Sequence, residues 1–175
     1  MKYISTRDSS KELNFEQVFI KGLAEDGGLF VPKFLKKYNA DDLIKLKKLN
    51  YNDLSTEIIN LFSAEFITKA ELSSIVKKSY STFRKKEVIK ISSLGKLKLL
   101  ELFHGPTLAF KDIAMQLIGN LYEYYLSKHD KKINIVVATS GDTGAAAIDA
   151  IKGKSNLNIF VLHPNNKISS VQRKL

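Results

Sequence analysis

Residues 133–148, INIVVATSGDTGAAAI, hold the pattern from which the fold is read. The run 133–138 is apolar except for Asn134, as expected of a strand buried on both faces of a parallel sheet. It passes through Ser140, Gly141, Asp142, Thr143 and Gly144 into a helix predicted over 143–152. A further strand is expected at 158–162, and upstream strands at 88–91 and 97–103 flank a turn at 92–95. Between them, residues 111–129 place Ile113, Leu117, Leu121 and Tyr124 on one helical face. The order β-α-β-α-β predicts an α/β fold with right-handed crossovers in a parallel sheet.

Ligands of open α/β sheets bind beyond the carboxyl ends of the strands. Residues 104–111, 139–144 and 163–170 are therefore expected on one rim. The turn from Ser140 to Gly144 runs from strand to helix, which leaves backbone N–H groups facing that rim. Its glycines permit close approach, and Ser140 and Thr143 add hydroxyls, so the turn suits a carboxylate or a phosphate. An ordinary strand-to-helix turn with capping residues is the other reading. Neither GxxxxGK[ST] nor GxGxxG is present.

Residues 101–116, ELFHGPTLAFKDIAMQ, place Lys111 at a helix mouth behind the Gly105-Pro106 turn. The positive end of the helix dipole and partial burial both disfavour an ammonium there. A neutral lysine is the form that adds to an aldehyde.

The first half reads as helical. Phe15, Val18, Phe19 and Leu23 recur at helical spacing with a stop near Gly22, and a loop with Gly27, Gly28 and Pro32 follows. Short and longer helices are expected at 41–49 and 53–66, the latter with Leu54, Ile58, Leu61, Phe62 and Phe66 in one stripe. Thr68 and Glu71 form a capping-box pattern before Leu72, Ile75, Val76 and Tyr80. The character changes near Lys86, so the expected domains are 1–85, mainly helical, and 86–175, α/β.

The 175 residues are 44% apolar, enough for a packed core, and contain no cysteine for disulfides or thiolate metal sites. His104, His129 and His163 lack ligand spacing. No apolar segment of membrane-spanning length or leader-like start is seen, and a cytoplasmic location is expected. The formal charge of +10 comes almost wholly from lysine, with arginine only at positions 7, 84 and 173. That lysine bias, on what read as solvated helix faces, argues against nucleic-acid recognition, which favours arginine forks among aromatics. A non-catalytic basic binding module is the alternative of another class.

ELFHGPTLAFKD with ATSGDTGAAAI resembles threonine synthase, a fold type II pyridoxal-phosphate enzyme with a tryptophan synthase β-like domain. Residues 3–7, YISTR, resemble that family's opening STRG element, and 22–32, GLAEDGGLFVP, its GLAxDGGL(F/Y)VP element. The resemblance runs the length of the chain, but the family is more than twice as long. It therefore implies the N-terminal portion only, with an incomplete sheet domain and the glycine-rich loop for the cofactor phosphate outside these residues. It implies that Lys111 carries pyridoxal 5′-phosphate and then moves protons between substrate carbons. Phe110 and Asp142 are implied beside the cofactor, and His104 is read as positioning or as a structural hydrogen bond.

The implied substrate is a small phosphoamino acid, O-phospho-L-homoserine, converted with water to L-threonine and phosphate. Ser140, Gly141, Thr143 and Gly144 would receive its carboxylate, and Lys167 its phosphate. Asp8 stands where the opening element has glycine, and Asn166 and Lys167 where the family's PxGRIS-type segment has glycine and arginine. Lys167 keeps the charge and lacks the bidentate fork, which leaves a related phospho-lyase as the enzymatic alternative. The isolated chain is expected to be inactive.

Overall fold

The computed structural model describes residues 1–165, 167, 169 and 170. Asn166, Ile168 and 171–175, which include part of the PxGRIS-like segment, lie outside the described residues. The chain divides into two compact units, Met1–Ser74 and Ile75–Leu175, and the division falls inside a helix.

In the first unit, strand β1 (Tyr3–Ser5) pairs antiparallel with β2 (Phe30–Pro32). These three-residue strands are too short to show a period, and the sequence does not announce them. The helices α1 (Phe15–Lys21), α2 (Ala40–Leu46) and α3 (Tyr51–Ser63) begin at Asn14, Asn39 and Asn50. Each asparagine side chain accepts a hydrogen bond from the backbone N–H three residues on, which satisfies a donor the helix cannot. α1 ends where expected, on Gly22 at φ 72°, a left-handed position that suits glycine. Helix α4 (Lys69–Tyr80) opens on the expected box, with Thr68 N donating to Glu71 Oε2 at 3.1 Å and Glu71 N to Thr68 Oγ1 at 3.3 Å. Tyr3, Phe15, Phe19 and Phe66 cluster, with Phe15 and Phe66 centroids 5.4 Å apart.

The second unit departs from the expected sheet. Strands β3 (Lys90–Leu94) and β4 (Leu97–Glu101) form an antiparallel hairpin of their own, turning at Gly95 and Lys96. The strand expected at 88–91 thus starts later, and most of the turn expected at 92–95 is strand. Among the described residues only β5 (Ile133–Ala138) and β6 (Leu157–Leu162) pair in parallel, in register from Ile133↔Leu157 to Ala138↔Leu162. A close turn allows β4 to fold back on β3, and that local pairing replaces the crossover expected from β4 to β5.

The expectation that β5 is buried on both faces is also corrected. Ile133, Ile135 and Val137 are half-buried, whereas Asn134, Val136 and Ala138 are exposed. Helices α5 (Asp112–Lys128) and α6 (Asp142–Ile151) cover the first face, while Val136, Phe160 and Leu162 on the other are more than half exposed. The two helices meet through Gly119 and an alanine-rich face of α6, with Gln116 Nε2 donating to Asp149 Oδ2 at 2.6 Å. Among the described residues no helix is long and apolar enough to cross a membrane.

Candidate functional site

Lys111 is placed by the segment that follows the hairpin. Glu101 accepts a hydrogen bond from Ser92 Oγ and lies 2.8 Å from His104 Nε2. The Ser92 bond first, then that of His104, holds the Glu101 carboxyl below the usual carboxylate range against the opposing effect of desolvation. His104 is buried, and its carbonyl accepts from Arg84 N at 2.9 Å. Its structural bond to Glu101 is thus present.

The chain then turns tightly. Leu108 takes φ 64°, a left-handed conformation costly for a side-chain-bearing residue, and its N–H donates to Gly105 O at 3.3 Å. Lys111 is the N-cap residue of α5, with helical φ −64° and ψ −23° and no side-chain cap bond. Its carbonyl accepts from Ala114 N at 3.2 Å and Met115 N at 2.9 Å. The half-buried side chain carries Nζ 4.6 Å from the Phe110 ring centroid.

The second segment follows β5. Thr139 N donates to Leu162 O at 3.0 Å, which ties the start of the turn to the end of β6. Gly141 N donates to Thr139 Oγ1 at 3.2 Å and Gly144 N to Gly141 O at 2.9 Å. The amides of Gly141 and Gly144 are therefore engaged within the turn. Among the described residues those of Ser140, Asp142 and Thr143 make no hydrogen bond, and they sit at the positive end of α6. Gly144 is buried, and a β-carbon there would stand 2.4 Å from Thr139 Cγ2. Its glycine serves the packing of α6 on the turn.

The two segments meet in an open pocket of about 330 Å³ lined by Phe110, Lys111, Ile113, Ala114, Met115 and Thr143. Lys111, Phe110 and Thr143 are thus brought together. Ser140, Gly141, Asp142 and Gly144 belong to the turn beside the pocket without lining it. Lys167 is exposed, bonds through its amide to Pro164 O at 3.3 Å, and does not line it. The expected reason for the meeting is corrected. Residues 104–111 follow the hairpin, not a strand of the parallel sheet, and the packing of α5 against α6 carries Lys111 to Thr143.

Two residues escaped the sequence reading. Asp112 is fully buried, and its carboxylate accepts from Thr107 N at 2.8 Å and Thr107 Oγ1 at 2.7 Å. In sequence it reads as an ordinary first-turn acid, and only the five-residue spacing to Thr107 hints otherwise. Gly119 reads as a tolerated helix glycine, yet a β-carbon there would stand 2.7 Å from the Ala150 carbonyl oxygen of α6.

Residues 2–80 match the family model described as threonine synthase N terminus. The chain is 43% identical to threonine synthase of Pseudomonas aeruginosa, covering 99% of this chain and 37% of that protein. It is 44% identical to threonine synthase of Saccharomyces cerevisiae, over 98% of this chain and 37% of the relative. The crystal structure of PLP-bound threonine synthase from Brucella melitensis superimposes with a TM-score of 0.93 at 40% identity, over 99% of this chain and 38% of that one. The chain therefore spans little more than a third of the length of these relatives.

Proposed function

We propose that this chain, which corresponds to the N-terminal portion of threonine synthases, supplies the lysine and the carboxylate-binding turn for converting O-phospho-L-homoserine and water to L-threonine and phosphate. The observation that carries the proposal is a pocket lined by both Lys111 and Thr143. The donors fit pyridoxal 5′-phosphate and an amino-acid substrate: a primary amine for the aldehyde carbon, and N–H groups without partners among the described residues for a carboxylate. When bound, pyridoxal phosphate supplies an electron-withdrawing ring that takes up negative charge from the substrate carbon.

Lys111 Nζ would hold the cofactor through its aldehyde carbon, and as a free amine it would take and return the proton moved between substrate carbons. Phe110 flanks that amine at the pocket wall. Ser140 and Thr143 hydroxyls, with the amides of Ser140, Asp142 and Thr143, orient the substrate carboxylate. Gly141 and Gly144 keep the turn compact enough for approach, and Asp142 would stand beside the cofactor. Lys167 pairs with the substrate phosphate. The enzyme class is a carbon–oxygen lyase acting on phosphate esters, with the longer protein as the active species.

The pocket lined by these residues is open to solvent, so the chain alone binds the cofactor weakly and turns over no substrate. Titration with pyridoxal phosphate checks this by absorbance. Tight binding whose signal vanishes in Lys111→Ala would overturn the weak-binding statement and support the anchor. In a protein carrying the whole fold, threonine from phosphohomoserine supports the reaction. Formation of 2-oxobutanoate from phosphothreonine, without threonine from phosphohomoserine, would replace it with the phospho-lyase.

A further inference from the structure

We infer that Asp112 is a positioning residue for Lys111, acting as a clamp on the turn from which the lysine projects. This rests on the reading of Lys111 as the covalent anchor. Asp112 occupies the first position of α5, where a side chain leans back over the chain that precedes the helix. Oδ2 accepts from Thr107 N at 2.8 Å and Oδ1 from Thr107 Oγ1 at 2.7 Å, while no side-chain cap bond forms at the start of α5.

The six residues from Thr107 to Asp112 are thereby closed into a ring whose members include Phe110 and Lys111. The ring is backed from the other side. A β-carbon on Gly105 would stand 2.3 Å from Asp112 Oδ2 and 2.4 Å from Asp112 Cβ, so the backbone at Gly105 lies directly on the carboxylate. Within the ring Leu108 holds its left-handed φ of 64° although its side chain is half exposed and gains little from burial. A conformation of that kind persists only where its surroundings impose it. The buried, doubly bonded carboxylate imposes it, because opening the ring would strand a charge at 0% exposure. Relaxation of Leu108 would redirect the next residues, Ala109, Phe110 and Lys111, and move Nζ from the pocket wall.

The test compares lysines within one molecule. The 175-residue chain is treated with pyridoxal phosphate, reduced with borohydride, and mapped by mass spectrometry, with exposed Lys45 and Lys47 as internal references. Thr107→Val keeps the shape and removes one bond to the carboxylate. It is expected to lower the Lys111-to-reference labelling ratio about tenfold, the loss typical of a hydrogen bond to a charged group. Thr107→Ser returns the hydroxyl and is expected to restore the ratio, which a merely structural role would not require at a temperature where all three chains are folded. An unchanged ratio in Thr107→Val would overturn the inference.

Should Thr107→Val fail to fold, hydrogen exchange on the unaltered chain decides. The clamp requires the Thr107 amide to be protected like the interior of α5, and exchange at the rate of an open loop overturns it. Absence of a Lys111 adduct in a protein carrying the whole fold would instead remove the anchor reading. The Thr107 amide would then still report on the clamp itself.

Discussion

Gly119 of α5 lies so close to Ala150 of α6 that a β-carbon on it would stand 2.7 Å from the Ala150 carbonyl oxygen. A backbone carbonyl cannot swing aside as a flexible side chain does, so the helices would have to separate. Gly119→Ala is expected to destabilise the second unit by about 1–3 kcal/mol, read as a lower urea midpoint. Since this contact carries Lys111 to Thr143, the same variant should also lower selective labelling of Lys111.

Tyr3 gives the first unit an alkaline limit. Its phenol donates to Phe62 O at 3.1 Å, and burial, then Glu65, pushes its pKa up to about 12. A folded value above the unfolded value of about 10 means that the contribution is whole below about pH 10. It is lost as pH rises toward the folded value. Tyr3→Phe should cost about 1 kcal/mol at neutral pH and remove this alkaline loss, measured by urea unfolding at a series of pH values.

Asn120 joins three elements of the second unit. Its side chain donates to Ser79 Oγ at 3.0 Å and Gln116 O at 2.9 Å and accepts from Lys154 Nζ at 2.7 Å. Asn120→Leu should cost about 1–3 kcal/mol by leaving Ser79 and Lys154 without this partner. Burial first, and Lys78 next, pull Lys154 below the usual lysine range, against Glu123. A depressed folded value makes the Lys154 contribution grow as pH rises toward that range, so the penalty of Asn120→Leu should shrink there. The midpoint difference between the two chains at neutral and alkaline pH measures it.

Glu101 sets an acid limit for the hairpin. Its folded pKa is depressed, so its contribution is present above the usual carboxylate range and lost as pH falls through the folded value. Glu101→Gln should flatten the acid side of the stability profile, followed by circular dichroism during an acid titration. An identical profile for both chains would show that the Ser92 and His104 bonds do not act through the carboxylate charge.

Helix starts were readable because their signals are local. Thr68 with Glu71, and glycine at position 22, act within one turn of chain, and the structure places them as read. Lys111 at the mouth of α5 and the turn from Ser140 to Gly144 were readable for the same reason. Strand partnership was readable for β5 and β6, which pair in parallel as expected, but not for β4. The pattern of β4 fits either a hairpin with β3 or a place beside β5, and a close turn costs less chain entropy to close than a crossover. The one-sided burial of β5 likewise depends on what packs against it, which its own residues do not state.

The amino-acid order thus specified the two chemical segments of the site, a lysine behind a Gly-Pro turn and a glycine-rich turn after an apolar strand. Folding in three dimensions settled how they meet. Gly119 lets α5 approach α6, Asp112 grips Thr107 behind the lysine, and Lys111 and Thr143 come to line one pocket. Each of these is a contact between side chains or backbone on different elements or across a turn, where shape and burial, not local preference, select the partner.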